Sequence, residues 1–424
     1  MADSLNPGVA RREVFAWAMY DFANSGYTTV VLTAVFNAYF VSVVAGNADW
    51  ATFAWTAALS ISYAIVMVVG PLLGAWSDAH ARKKWLLGVN TAICILGTVA
   101  LAWTSAGAVT LAVVCIVISN VAYSMGENLT AAFLPELARP EALGKVSGWG
   151  WSWGYFGGIL ALAVSLAWVM TAESRGSSSG AAVPGTMIIT AAIYGLAALP
   201  TFLWLRERAK PVPDASARVA LERLAETARQ ARTYKDLLLV FGCGVLYQAG
   251  VATVIALAAI YAEQVMGFKT KDTIVLILVV NVTAAVGAFG FGYAQDRLGK
   301  TAALKVTIVG WVAMVVIAYF STTVWAFWIA ANLAGLCMGS SQSAGRALVA
   351  YLSPPERSAE FFGLWGVAVR LAAILGPLTY GAVTWITHGN HRLAILLTGV
   401  FFVASLAVLA FVDERRGRAR VESR

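Results

Sequence analysis

Apolar residues run along this chain in long, nearly unbroken stretches separated by short polar segments. A helix needs roughly 20 such residues to cross a bilayer. About twelve stretches reach that length, at 14–44, 53–76, 85–104, 107–133, 146–170, 186–205, 236–262, 273–294, 303–320, 323–345, 359–386 and 392–412. The pattern predicts an all-α membrane protein with twelve spans. Met1 to Arg12 has no apolar stretch, and the first run is too long and too rich in polar residues for a signal peptide, so none is expected. Composition sharpens the picture: 59% of residues are hydrophobic and 12% charged, against about 25% charged in a soluble protein. That excludes a nucleic-acid-binding domain, a disordered tail protein and an ordinary cytosolic enzyme. Cys94, Cys115, Cys243 and Cys337 lie inside apolar runs, where inert thiols are expected.

The net charge of +8 follows the loops. With Arg11 and Arg12 placed inside, about 25 of the 30 Lys and Arg fall on that same side. They include Arg82, Lys83, Lys84, Arg139, Lys145, Arg297, Lys300, Lys305, Arg346 and Arg357, the segment Arg206 to Lys235, and the tail from Arg415. Only Arg175, Lys269, Lys271 and Arg392 face the other side, and Arg370 stays within a span. This positive-inside bias predicts two cytoplasmic termini and makes the basic surplus a topology signal, with no nucleic-acid partner. The basic central segment divides the chain into 1–205, a linker 206–235, and 236–424. Within the linker, Ala217 to Arg232 reads as an amphipathic helix on the cytoplasmic face. Leu221, Leu224 and Ala228 form its stripe, and Arg218 and Glu222 stand at ion-pair spacing.

The two sets of six spans share a repeat. Gly70-Pro71-Leu72-Leu73-Gly74-Ala75-Trp76-Ser77-Asp78 with Arg82-Lys83-Lys84 follows span two, and Gly290-Phe291-Gly292-Tyr293-Ala294-Gln295-Asp296-Arg297-Leu298-Gly299-Lys300 follows span eight. Gly74, Asp78 and Arg82 are spaced like Gly292, Asp296 and Lys300. Leu134-Pro135-Glu136 and Leu352-Ser353-Pro354-Pro355-Glu356 repeat after spans four and ten. The doubled motif resembles the signature cytoplasmic loop of the major facilitator superfamily, although Ala81 stands where glycine is usual. More narrowly, Tyr20-Asp21-Phe22-Ala23-Asn24-Ser25 resembles the signature of the superfamily's vacuole-effluxer-like branch, the bacterial relatives of the fungal vacuolar amino-acid effluxer.

The resemblance implies two six-helix bundles, with spans 1, 4, 7 and 10 around a central cavity and spans 3, 6, 9 and 12 towards lipid. The sequence fits: polar residues gather in the first set, and spans nine and twelve are apolar all round. Gating is expected of Gly74, Asp78, Arg82, Lys83, Gly292, Asp296 and Lys300, the two aspartates holding the bundles together on the cytoplasmic side of an outward-open state.

Charges deep in a span cost at least a few kcal/mol, so each demands a reason. At 1.5 Å per residue, Asp21, Glu127 and Arg370 lie roughly 13, 9 and 16 Å in from the cytoplasmic side. That places all three near the midplane, where transporters bind substrate between repeats. Burial strengthens a carboxylate's hold on a proton, which suits Asp21 and Glu127 to proton coupling, with structural pairing as the alternative. Arg370 could be their counter-ion or could hold a substrate carboxylate. Tyr20, Asn24, Thr28, Asn128, Gln248 and Gln342 complete the expected substrate contacts. Trp149, Trp151, Trp153 and Tyr155 read as an interface belt or helix packing rather than a cation-binding wall.

Other motifs carry little. Gly287 to Gly292 lies in a span, no Walker lysine motif is present, and Asn128-Leu129-Thr130 and Asn281-Val282-Thr283 are buried in spans. His80, His388 and His391 are too few and peripheral for a metal, so no metal or cofactor is expected. The reading is a monomeric secondary transporter of the plasma (bacterial inner) membrane. It works by rocking its bundles and exports amino acids or similar small solutes, with coupling to protons. An importer of a sugar, peptide or other nutrient is the alternative. A membrane receptor or intramembrane enzyme is disfavoured, because no nucleophile pairs with a base and the longest loop is the size of a linker.

Overall fold

The computed structural model describes residues 4–212, 234–268 and 270–423, with Glu222, Ala225, Glu226 and Arg229 between the first two stretches. Among the described residues, twelve helices are long and apolar enough to cross a membrane. We number them α1 (Arg11–Tyr27, continued to Val44), α2 (Ala51–His80), α3 (Lys83–Leu101), α4 (Val109–Ala131), α5 (Leu143–Ser174), α6 (Ser179–Trp204), α7 (Lys235–Met266), α8 (Thr270–Leu298), α9 (Lys300–Phe320), α10 (Val324–Leu352), α11 (Ser358–Ile386) and α12 (His391–Leu409), followed by a surface helix α13 (Glu414–Glu422). The amphipathic helix expected over 217–232 lies, apart from four residues, outside the described residues.

The first span is not one uniform helix. Past Tyr27 it loosens into π-helical turns at Thr28–Ala34 and Phe40–Val44, with a short α-helical piece, Phe36–Tyr39, between them. Thr28 and Val30 to Thr33 are β-branched except for Leu32, a poor composition for tight α turns. Such widened turns cluster at functional positions.

Helix pairing is duplicated. In the first half α1 packs on α5 and α6, α3 on α4 and α6, and α2 on α4; in the second half α7 packs on α11 and α12, α9 on α10 and α12, and α8 on α10. The halves meet along α2–α11 and α5–α8, which are themselves equivalent. Exposed apolar residues cover the outside: Ile93 and Leu96 on α3, Leu196 and Leu203 on α6, Val306 and Val309 on α9, Val400 and Val403 on α12. All four cysteines are buried and unpaired.

The repeat reaches further than the sequence motif. After α6, the Glu207 carboxylate accepts from the backbone N–H groups of Lys83 (2.7 Å) and Lys84 (3.1 Å) at the start of α3, and Arg208 pairs with Glu13 (2.9 Å) in the first turn of α1. After α12, Glu414 accepts from the N–H groups of Lys300 (3.4 Å) and Thr301 (3.0 Å) at the start of α9, and Arg416 pairs with Asp236 (2.6 Å) in the first turn of α7. An acid thus satisfies the unpaired N–H groups of one helix, and an arginine ties a second helix to the same corner. Each half closes its own face with this clasp.

Between α2 and α3, Ala81 adopts a left-handed conformation (φ 51°), and Gly299 occupies the equivalent turn (φ 91°). The turn itself is what favours glycine in the motif, and alanine carries strain there. Ala81→Gly is expected to raise stability by about 1 kcal/mol, read as a higher unfolding temperature with transport unchanged. An unchanged or lower temperature would mean that the loop already relieves the strain.

Candidate transport cavity and its seal

A cavity of about 450 Å³ lies between the halves. Its wall runs from Asp21 to Thr33 on α1, from Gln248 to Tyr261 on α7 and from Phe327 to Arg346 on α10. It therefore occupies the middle of the molecule and the part away from the chain termini. α4 adds Tyr123, Glu127 and Asn128, and α11 adds Val369 and Arg370. The expected segregation of spans needs one correction: α9 and α12 face outward but also reach the cavity through Met314, Ala318 and Ile395. Among the described residues, helices α3 and α6 contribute none of its wall.

Two ion pairs cross the cavity, each with its acid in the first half and its arginine in the second. Asp21 accepts from Arg346 Nη1 at 2.6 Å, and Glu127 accepts from Arg370 Nη2 at 2.5 Å. The sequence placed Arg346 in a loop, because span ten was ended at residue 345. In fact α10 continues to Leu352, and Arg346 is buried beside Trp17 and Trp151 at 4.7 and 5.3 Å from the ring centres. A lone arginine between Ala344-Gly345 and Ala347-Leu348-Val349 was the available signal. Arg370, expected as a counter-ion to one of the two acids, pairs with Glu127, and Asp21 pairs with Arg346.

Among the other expected contacts, Asn24 lines the cavity and accepts from the Tyr194 hydroxyl at 2.6 Å. Thr28 lines it too, its hydroxyl bonded to the Asn24 carbonyl. Gln248 and Gln342 exchange amide hydrogen bonds of 2.7 and 3.1 Å across α7 and α10. Tyr20 does not reach the cavity. Fully buried within the first half, its hydroxyl meets Thr91 at 2.8 Å and Tyr194 at 3.3 Å, so it acts in packing. The aromatic run of α5 divides by helical spacing. Trp151 and Tyr155 face the cavity, while Trp149 and Trp153 turn towards Tyr293 and Met19.

Towards the termini the cavity is sealed by backbone contact. Gly74 on α2 lies against the Ala359 carbonyl of α11, and Gly148 on α5 lies against the Ala288 carbonyl and Gly292 of α8. Each seal ends in an aspartate at the start of a helix in the other half. Asp78 accepts from the Glu360 N–H at 2.9 Å; Asp296 accepts from the N–H groups of Gly144 (3.0 Å) and Lys145 (2.9 Å). A helix N-terminus is partly positive and presents unpaired donors, so a carboxylate fits it without a cation. The lysines differ. Lys83 is fully buried among Asp78, Glu136 and Ser358, whereas Lys300 lies over the Tyr351 ring at 4.4 Å. Arg82, expected to gate, is exposed.

The family model described as vacuole effluxer Atg22 like matches residues 39–422. The chain is similar to the MFS-type transporter YxiO of Bacillus subtilis, with 29% identity over 406 residues and 94% of each protein covered. It is also similar to autophagy-related protein 22-1 of Penicillium rubens, with 23% identity over 299 residues, 65% of this chain and 50% of that one. The chain thus spans about half the length of that fungal relative. Among solved structures, the human organic anion transporter MFSD10 aligns with a TM-score of 0.74 at 15% identity, covering 94% of this chain and 99% of that one. The proton:xylose symporter XylE aligns with a TM-score of 0.73 at 14% identity, covering 97% of each. These two structures speak to the fold.

Proposed function

The chain belongs to the vacuole effluxer Atg22-like family of MFS-type transporters, and from that premise we propose that it exports amino acids or similarly small zwitterions by alternating access. The observation carrying this reading is the pair of carboxylate–guanidinium contacts lining one cavity, each joining the two halves. An ammonium group can replace a guanidinium on a carboxylate, and a carboxylate can replace another on a guanidinium, so an amino acid carries both ends of what the cavity already pairs. The protein sits in the plasma membrane with its termini in the cytoplasm, so the state described is outward-facing. Gly74 and Asp78 on one side, with Gly292 and Asp296 on the other, form the cytoplasmic gate. Lys83 braces the first of these aspartates.

Protons enter the cycle at the cavity carboxylate Glu127. A pH unit supplies about 1.4 kcal/mol, and 100 mV acting on one charge about 2.3 kcal/mol, enough together to hold a gradient of a few hundredfold. Labelled amino acids in proteoliposomes with an imposed pH difference test the reading. Wild type is expected to accumulate solute against its gradient. Glu127→Gln is expected to lose pH-driven accumulation and to keep only a lower-affinity exchange at equal pH. Accumulation of a sugar but of no amino acid would turn the assignment towards nutrient import.

A further inference from the structure

The two ion pairs across the cavity differ in their surroundings, and we infer that they have separate tasks: Asp21–Arg346 is the tie that holds the halves together while the seal is closed, whereas Glu127–Arg370 is the pair that an incoming zwitterion takes apart. The inference rests on the amino-acid reading above and gives it a location.

All three nitrogens of the Arg346 guanidinium are engaged. Nη1 bonds Asp21, Nε bonds the Ser147 hydroxyl at 3.0 Å and Nη2 bonds the Ser147 carbonyl at 2.8 Å. Trp17 and Trp151 add ring contacts to the same guanidinium. A methyl added at Gly150 would meet Arg346 Nη2 at 2.6 Å, so there is no room beside it either. This guanidinium joins α1, α5 and α10, at the end of the cavity nearest the seal.

Arg370 has donors to spare. Nη2 bonds Glu127, but its buried Nε has no acceptor among the described residues. Asn128, next to Glu127 and 6% exposed, likewise has an Nδ2 without an acceptor. The two groups are close in the packing: Gly366, one turn before Arg370, is pressed so near Asn128 that an added methyl would meet its Oδ1 at 2.8 Å. Buried donors almost always find an acceptor, so two orphans on neighbouring turns of α4 and α11 mark a place short of acceptor atoms. A carboxylate supplies two oxygens. Glu127, whose side chain is 32% exposed against 14% for Asp21, would then be released to receive the ammonium group. The exchange leaves the cavity's charge unchanged, so no uncompensated charge is buried while the solute is carried. A sugar has nothing to replace either ion and would leave the pair closed.

L-valine, L-valinamide and N-acetyl-L-valine serve as probes in proteoliposomes, each of the last two lacking one charged end. Alongside these, spin labels at Glu141→Cys and Glu356→Cys, exposed positions on the sealed face of the two halves, report the separation of that face. Arg370→Gln is expected to raise the KM for valine at least tenfold, with Arg370→Lys recovering part of the loss. Asp21→Asn and Arg346→Gln are expected to leave that KM within about threefold and to lengthen the label distance, whereas Glu127→Gln leaves the distance as in wild type. If Arg346→Gln fails to fold, Asp21→Asn, which keeps both bonds from Arg346 to Ser147, carries the comparison. Equal KM increases for Arg370→Gln and Asp21→Asn would overturn the division, as would an unmoved label distance in Asp21→Asn. If wild type carries no probe, the substrate reading fails, and the assignment of the closed-state tie is decided by the label distances alone.

Discussion

Replacing Gly74 by valine is expected to abolish net transport in a protein that still folds. The Gly74 Cα side lies on the backbone of α11, where an added Cβ would collide with the Ala359 carbonyl and stand 3.0 Å from the Glu360 nitrogen. Gly363 meets Gly70 and Pro71 on the same contact, so backbone presses on backbone and no rotamer change relieves the clash. Overpacking of this kind costs about 1–3 kcal/mol, and parting the helices also removes the Asp78 cap from α11, worth about 1 kcal/mol more. The total moves a two-state balance by well over tenfold towards the form in which this contact is open. The spin-label pair across the sealed face should therefore report one long distance, and solute flux should fall at least tenfold. Gly290→Val is the control, because an added side chain there meets nothing within 4 Å. Wild-type flux in Gly74→Val would mean that α2 and α11 need not touch during the cycle.

The second large effect is expected at Lys83. Its ammonium is fully buried, pairs with Asp78 at 3.7 Å and with Glu136, and donates to Ser358 at 3.2 Å. Lys83→Met leaves two carboxylates beside each other without their cation. Breaking one member out of such a group costs about 3–5 kcal/mol, so the unfolding temperature in detergent should drop by many degrees. Removing one of the stranded acids should restore part of it, and Lys83→Met with Glu136→Gln is expected to be more stable than Lys83→Met alone. Lys300→Met should cost less, because that ammonium rests on a tyrosine ring rather than between two acids. Similar losses at Lys83 and Lys300 would show that the two loops are braced alike despite their different partners.

Much of the architecture was legible in the sequence. Twelve spans follow from run length alone, since hydrocarbon thickness fixes how many apolar residues a crossing needs. The doubled Gly–Asp–basic motif marked both loops that now seal the cavity. What stayed hidden depends on contacts between distant segments. Arg346 was lost to a boundary, because a charge near a helix end looks the same whether α10 stops before it or carries it two turns further. Tyr20 shares its stretch with Asp21 and Asn24, yet helical rotation turns it inward to Thr91. The clasps of Glu207 and Glu414 read as ordinary linker and tail charges, and only the fold brings them to the starts of α3 and α9. Ala81 was visible as a departure from the motif, but its left-handed backbone was not.

The aspartates of the seal have a consequence for how the molecule lets go. In the proposed alternating-access cycle this catch releases on every turnover and must not leave a bare ion in a dry interior, which a carboxylate lodged against peptide N–H groups avoids. When Asp78 or Asp296 withdraws, it abandons partial dipoles that water can rewet, each contact being worth about 1–2 kcal/mol. That is the scale of a single pH unit. Opening at these two contacts thus stays within reach of a modest driving force.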